Sequence, residues 1–573
     1  RSGRLLGLVL LTCLTAQVVA VLLLVRPGAF WSPDSAVRFV QVESLLRSHY
    51  RDLAVPYPAA SIDPEGRYFP LGGWFHFQRT GRFYLSYLPY FSIASAPLYR
   101  LFGPPGLLLI PAASVLGTVW ITYGVLRRRA PAVAGAGALA LGLGTPLFIY
   151  GVVFWDHSLA VLLSAGALAI LGVEAEAPRP GHSAAVAAAG ALLAMGFWLR
   201  SEMYLLALAA GAGWVVAVPR GRSKGLIALA CGGALPAACL WIANARLFGS
   251  PLGWKGQDLI ATRMSGAAHA AAGGWAGWVS EKLGNAYYQL ISPDFYAFNP
   301  PAVATGVAVG LALLLAGVLI RMGVGRRSIP AIVSGTVLGA GTAVWIATGR
   351  TAVSGLLPAS PLVVLALLRG SGSPWERFLW VTTGLFGAAV IATGTHGGLQ
   401  WGPRYLLPIL PVLVWLAASA LAQARAAAFQ TWPALRAAAV ALLAASMLVQ
   451  ASGVDQVWQA IRQNARINQW LRGIPAEIVV TPLEWLTLGA GPVYFEKQLM
   501  LVHSPVEFKA LVERLSAGRV GRWAYIPYSG PAFLRRSVEQ WTADRPWRFR
   551  VDDDRTWNGL RFVTFAGSPH EVR

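Results

Sequence analysis

Charge is what this sequence lacks most. Only 13% of its 573 residues are Asp, Glu, Lys or Arg, against roughly 25% in a soluble globular chain. With 55% hydrophobic residues and a mean hydropathy of +0.53, that shortage excludes an ordinary soluble domain and points to a polytopic membrane protein. Cysteine is nearly absent. Cys13, Cys231 and Cys239 all fall in apolar runs, which excludes a disulfide framework and leaves the redox compartment unread. There is no P-loop, HExxH, GxSxG or CxxC pair. The turns expected on the cytoplasmic side are too short for a nucleotide site, so activated substrate must come from elsewhere, such as a lipid. Acidic residues are outnumbered, 25 against 47 basic. The basic residues flank apolar runs and do not form one patch, which argues against nucleic acid and for helix orientation at an anionic bilayer.

What is present is a series of apolar runs. They cover 5–25, 106–126, 131–150, 154–173, 183–198, 202–218, 225–247, 302–320, 329–348, 356–368, 379–391, 405–421 and 435–448. That predicts about 13 spans of ~20 residues, the run at 356–368 being short. The first run is too long for a signal-peptide core and lacks a small-residue cleavage site, so a retained helix is expected. The chain starts at Arg1 without a methionine, and a short preceding stretch is expected. With Arg1 and Arg4 in the cytoplasm, every inside turn carries arginine or lysine: Arg127 to Arg129, Arg179, Arg220 to Lys224, Arg321 to Arg327, Arg369 with Arg377, and Arg425 with Arg436. The positive-inside rule then puts the C-terminus outside. Three outer segments follow: loops at 26–105 and 248–301, and a tail at 453–573. The expected domains are a membrane domain over 1–452, including both loops, and a small α/β extracytoplasmic domain over 453–573. In the tail, VDQVWQAIRQNARINQWL predicts a helix. SPVEFKALVERL predicts another, opened by a capping box from Ser504 to Glu507. EIVVTP, RWAYIPY, WRFRV and LRFVTF predict strands. RFYLSYLPYFSIASAPLYRLFG predicts an interfacial helix. No fixed-period repeat or inverted hydropathy repeat is present.

Three polar clusters sit at the expected outer rim. In WSPDSAVRFVQVESLLRSHY, Ser32 can cap a helix, Pro33 suits its first turn, and Asp34 favours the positive end of its dipole. Arg38, four residues on, shares the face of Asp34. Asp34 is therefore either a cap with a surface ion pair or a catalytic base. Phe154-Trp155-Asp156-His157-Ser158 offers an acid that caps or reacts, beside a histidine without metal spacing. Gln400-Trp401-Gly402-Pro403-Arg404-Tyr405 puts an arginine at a span mouth against the inside bias. Headgroup anchoring and a bidentate grip on phosphate both suit it. Arg200 and Glu202 form a similar outer pair with a structural reading. Asp63, Glu65, Arg67, His76, Arg79 and Arg82 in the first loop, and Lys255, Asp258 and Arg263 in the second, could each meet a phosphate or a sugar.

PDSAVRFVQVESLL, GRFYLSYLPYFSIASAPLYRLFG, FWDHSLAVLL, NARLFGSPLG, LISPDFYAFNPP and QWGPRYLLPILP together resemble the GT-C glycosyltransferases that use polyprenyl-phosphate sugars. The group containing protein O-mannosyltransferases and lipid A aminoarabinose transferases is the most similar. The likeness covers roughly Arg1 to Gln450. It implies an inverting transfer at the outer face of a bacterial plasma membrane, from a polyprenyl-phosphate donor to a hydroxyl of a glycan, lipid or protein. It implies Asp34 as general base, with Asp156 orienting the acceptor or assisting. Arg404 is the first choice for the donor phosphate, with Arg82 and Lys255 behind it. Arg38, His157, Trp401 and Arg67 are expected around the substrate. The mannosyltransferases often carry Asp-Glu at the base position where this chain has Asp34-Ser35, which argues against protein mannosylation. The tail shows no β-trefoil repeats, which favours a bacterial enzyme. No cofactor is required. No metal is predicted, although Asp34, Asp156 and His157 leave a divalent ion open if they converge. A transporter or flippase of lipid-linked sugars, and a glycan polymerase or ligase with a diphosphate-linked donor, are the alternatives. A flippase would carry its charges inside the bundle.

Overall fold

The structure is a computed structural model. It describes residues 2–26, 28–176, 182–218, 221–253, 274–294, 296, 299–349, 351–368, 370, 372–393, 400–427, 430–527, 532–557 and 559–569. The chain divides into two compact units. One joins Arg1–Val25 to Leu107–Trp458, and the other joins Arg26–Gly106 to Gln459–Arg573. This differs from the sequence reading, which groups the loop at 26–105 with the spans and starts the tail domain at 453.

The first unit is helical. Among the described residues, eight helices are long and apolar enough to cross a membrane, and three shorter apolar helices accompany them. Most follow the predicted runs, as with Ser2–Leu24, Leu109–Arg129, His157–Glu176 and Ile329–Thr348. Two predicted spans are broken into short pieces. The run at 131–150 breaks into a 3-10 turn at Pro131–Val133, a helix at Ala134–Gly144 and a single turn at Leu147–Tyr150. Pro146 interrupts it, since its ring removes a backbone donor. The run at 356–368 is one α-turn, Leu356–Ala359, followed by a 3-10 helix at Pro361–Leu368. Small residues let neighbours approach. A Cβ on Gly190 would lie 2.0 Å from Leu229 O, and one on Gly232 would lie 1.9 Å from Ala187 O. The helices His182–Phe197 and Arg222–Phe248 therefore cross backbone to backbone.

The second unit is built on a five-stranded mixed sheet ordered β4-β3-β5-β7-β6. Its strands are β3 (Ile478–Thr481), β4 (Gln498–Leu501), β5 (Arg522–Tyr525), β6 (Trp547–Trp557) and β7 (Leu560–Pro569). β3 pairs parallel with β4 and β5, while β7 pairs antiparallel with β5 and β6. The four predicted strands are present, and β4 is one the sequence reading missed. Strand alternation sends Val479 and Ala524 to one face, packed with Ile467 and Leu471 of the helix Trp432–Gly473. It sends Ile478, Val480, Trp523 and Tyr525 to the other face. There they pack with Phe508 and Leu511 of the helix Pro505–Ala517, and with Tyr57, Tyr68, Phe69 and Phe83 of the 26–106 segment. The tail's sheet is thus completed by the loop between the first two spans, which explains why those segments, far apart in sequence, form one unit. Asp63, fully buried, accepts from Tyr68 N at 2.8 Å, Tyr57 OH at 3.1 Å and Arg514 Nη1 at 2.9 Å. The predicted helix over 454–471 is the end of the 42-residue helix Trp432–Gly473, about 63 Å long at 1.5 Å per residue. Ser504 caps the helix Pro505–Ala517 by accepting from Glu507 N. The Glu507 carboxylate takes the His503 N–H at 2.7 Å. The predicted interfacial segment is a strand, β2 (Arg82–Leu85), paired with β1 (His76–Arg79), and then a helix at Tyr90–Phe102.

Candidate active site

In the second unit, Asp34 lies in the first turn of the helix Pro33–Arg47, with Ser32 as N-cap accepting from Ser35 N at 3.3 Å. Asp34 is half-buried. The helix is held by the tail. A Cβ on Gly491 would lie 2.3 Å from Ala36 O. Asn464 Nδ2 donates to Phe30 O at 2.8 Å, and Asn468 Nδ2 donates to Gly28 O at 2.9 Å. Two asparagines four residues apart in a helix are a signal the sequence reading overlooked, because asparagine is a poor helix former. Arg38 is buried with its guanidinium 4.4 Å from the Tyr87 ring centroid and 5.7 Å from that of Phe91, which is cation–π geometry. Arg82 is ion-paired with Asp52. Arg67 is exposed, 5.9 Å from the Tyr68 ring. Asp63 and Glu65 are both bound by Arg514. The His76 Nδ1 bonds Leu71 O and, at 3.2 Å, Gly72 O, and burial pushes its imidazole pKa down.

In the first unit, the structure brings together residues from three separated stretches. Asp156 and His157 open the helix His157–Glu176 and are buried. Arg200, in the turn before the helix Glu202–Ala217, donates from Nη1 to Asp156 Oδ1 at 3.2 Å and lies 3.4 Å from His157 Nδ1. Its Nε bonds Glu202. Burial pushes the Arg200 pKa down, Glu202 and Asp156 push it further up, and the net shift is upward. Arg404, nine-tenths buried, donates from Nη2 to Tyr405 OH at 3.2 Å. Its guanidinium lies 5.6 Å from the Trp155 ring and 5.0 Å from that of Tyr405, while Arg200 lies 5.5 Å from the same Tyr405 ring. Tyr150 flanks His157 and Trp155 at 5.0 and 5.4 Å. Burial pushes the Tyr288 phenol up, against the pull of Arg404. The turn that delivers Arg404 needs glycine: Gly402 has φ +66°, and a Cβ there would meet Pro146 at 2.5 Å. The sequence reading gave Arg200 and Glu202 a structural role, and geometry makes them part of this cluster. Trp401 is instead a packing residue, fully buried and donating from Nε1 to Gln450 at 3.1 Å. Lys255, Asp258 and Arg263 lie outside the described residues. Among the described residues no three His, Cys, Asp or Glu side chains gather as metal ligands.

Two arginines sharing one buried aromatic and carboxylate cluster suit an anion with several oxygens. The architecture has solved counterparts. The chain is similar to ArnT from Cupriavidus metallidurans bound to undecaprenyl phosphate, with a TM-score of 0.52 at 12% identity over 98% of this chain and 97% of that one. The chain has the GT-C glycosyltransferase fold. A second GT-C relative in fold is the Archaeoglobus fulgidus oligosaccharyltransferase in complex with Zn and sulfate, with a TM-score of 0.51 at 14% identity over 90% of this chain and 68% of that one. No protein-family model and no curated protein matches the chain.

Proposed function

We propose that this GT-C chain is an inverting glycosyltransferase that moves a sugar from a polyprenyl phosphate to a hydroxyl acceptor at the outer face of a bacterial plasma membrane. The observation that carries the reading is the GT-C fold over nearly the whole chain. Asp34 is the general base: it takes the proton of the acceptor hydroxyl, whose oxygen attacks the anomeric carbon. The bond from that carbon to the phosphate oxygen breaks, and the phosphate leaves with the electron pair. Arg404 neutralises the leaving phosphate, with Arg200 as a second cation that Glu202 and Asp156 keep charged and oriented. Asp156 serves as the anchor of that arginine. Arg82 is the weaker phosphate candidate, since Asp52 already engages it. The acceptor is a glycan, lipid or protein hydroxyl.

The test is transfer of radiolabelled sugar from a panel of polyprenyl-phosphate sugars by the purified chain, with an endogenous lipid and glycan extract as acceptor. Transfer by the parent and at least 100-fold less by Arg404→Ala is expected. Activity only with diphosphate-linked donors, or movement of intact lipid-linked sugar across vesicles without transfer, would overturn the reading in favour of a polymerase or a flippase.

A further inference from the structure

The tail carries a groove that the transfer chemistry does not use. It measures about 450 Å³ and is lined by Arg466, Gln469, Trp470 and Trp557, within the roughly 300–1,000 Å³ of ligand pockets. Its wall is aromatic. The Trp470 and Trp557 rings stack 5.6 Å apart with 14° between planes, and Phe562 meets Trp470 edge-on at 5.6 Å. Both tryptophans are partly buried and pack against the core around Ile467 and Leu471, so the platform is held by the sheet and the helix behind it. Trp470 Nε1 is buried and has no hydrogen-bond partner among the described residues, which is costly for an indole donor unless something accepts from it. Arg466, Gln469 and Trp470 share one helix face by their spacing of three and four residues. Arg466 and Gln469 are exposed.

A flat aromatic wall wants an apolar face. A guanidinium fork and an amide beside it want paired oxygens at the rim of that face. A pyranose ring has both, with axial C–H groups on its face and vicinal hydroxyls at its edge. We propose that this groove binds a pyranose unit of the acceptor, which makes the acceptor a glycan. The acceptor role rests on the transferase reading, whereas the binding of sugar stands on the groove alone.

The test is saturation-transfer NMR on the full chain in nanodiscs with maltotetraose, mannotetraose, chitotetraose and tetragalacturonate as probes. At least one tetrasaccharide should receive saturation, and Trp557→Ala should weaken it at least 10-fold. Gln469→Ala, an exposed change that spares the core, should weaken it about 3-fold or more. Arg404→Ala, which removes the proposed grip on the donor phosphate but not the groove, should keep the parental saturation of the tetrasaccharide, so failure of the groove and failure of the transferase reading are read separately. No saturation with any sugar, equal saturation in the variants, or a response to glycerol phosphate but to no sugar would overturn the proposal.

Discussion

Replacing Arg514 by alanine should loosen two segments separated by more than 400 residues of chain. Asp63 is fully buried and accepts three hydrogen bonds, one of them from Arg514. Removing a partner from a buried ion pair costs about 3–5 kcal/mol because a charge is stranded. Arg514 is 34% exposed, so water can replace part of the loss, and about 2–3 kcal/mol is the expected cost. Its second contact, to the exposed Glu65 carboxylate, adds little. The assay is hydrogen exchange of the full chain. Amides at 57–71 and in β3 to β5 should exchange roughly 30- to 140-fold faster in Arg514→Ala. Adding Asp63→Asn should restore part of the protection, since no charge is then left buried. Leu501 N donates to Tyr68 O at 3.0 Å, so both sides of the pair should respond together. Unchanged exchange at 57–71, or a response confined to the tail, would refute the claim that the 26–106 segment completes the tail's sheet.

Three further outcomes follow from the same contacts. His76 is held neutral in the fold, with its pKa below the ordinary value of 6.5. The stability it confers is present above about pH 6.5 and is lost as pH falls through the folded value. Thermal melts of the parent should decline below pH 6.5 more steeply than those of His76→Gln. Gly232→Val should lower stability in detergent by about 1–3 kcal/mol, because its side chain meets the Ala187 carbonyl; an unchanged melting temperature would contradict the close crossing. Arg200→Lys keeps the charge but loses the fork onto Asp156 and Glu202, so kcat should fall about 10²- to 10³-fold with little change in KM for the acceptor.

The helical unit was legible because its signals are local: apolar runs and arginines at their ends. The two runs that break into short pieces, at 131–150 and 356–368, carry prolines whose effect hydropathy does not register. Four of the tail's strands were legible from β-branched and aromatic runs, whereas β4, whose QLML has neither, was not. The partnership of the tail with 26–106 was not, since it lies in contacts such as Asp63 with Arg514 and Asn464 with Phe30 O, and no periodicity in one segment encodes its neighbour. At the site, Asp156 stood out as an acid at a span end and Arg404 as an outer arginine against the inside bias. Arg200 and Glu202 were visible as a pair, but their reach to Asp156 depends on a turn that returns to it. Trp401 looked available for substrate and proved to be packed on Gly453 and Gln450, because burial of a tryptophan beside a span mouth is a tertiary fact.

The central claim is that the chain transfers sugar with Asp34 as base, and the most direct measurement compares the single-turnover rate of the parent with that of Asp34→Asn under saturating polyprenyl-phosphate donor. The asparagine keeps the size and the capped turn but cannot take a proton. A fall of about 10²- to 10⁴-fold, with donor binding and melting temperature unchanged, is the predicted result. Equal rates in the two proteins would contradict it and leave Asp34 as a residue of the helix's first turn alone.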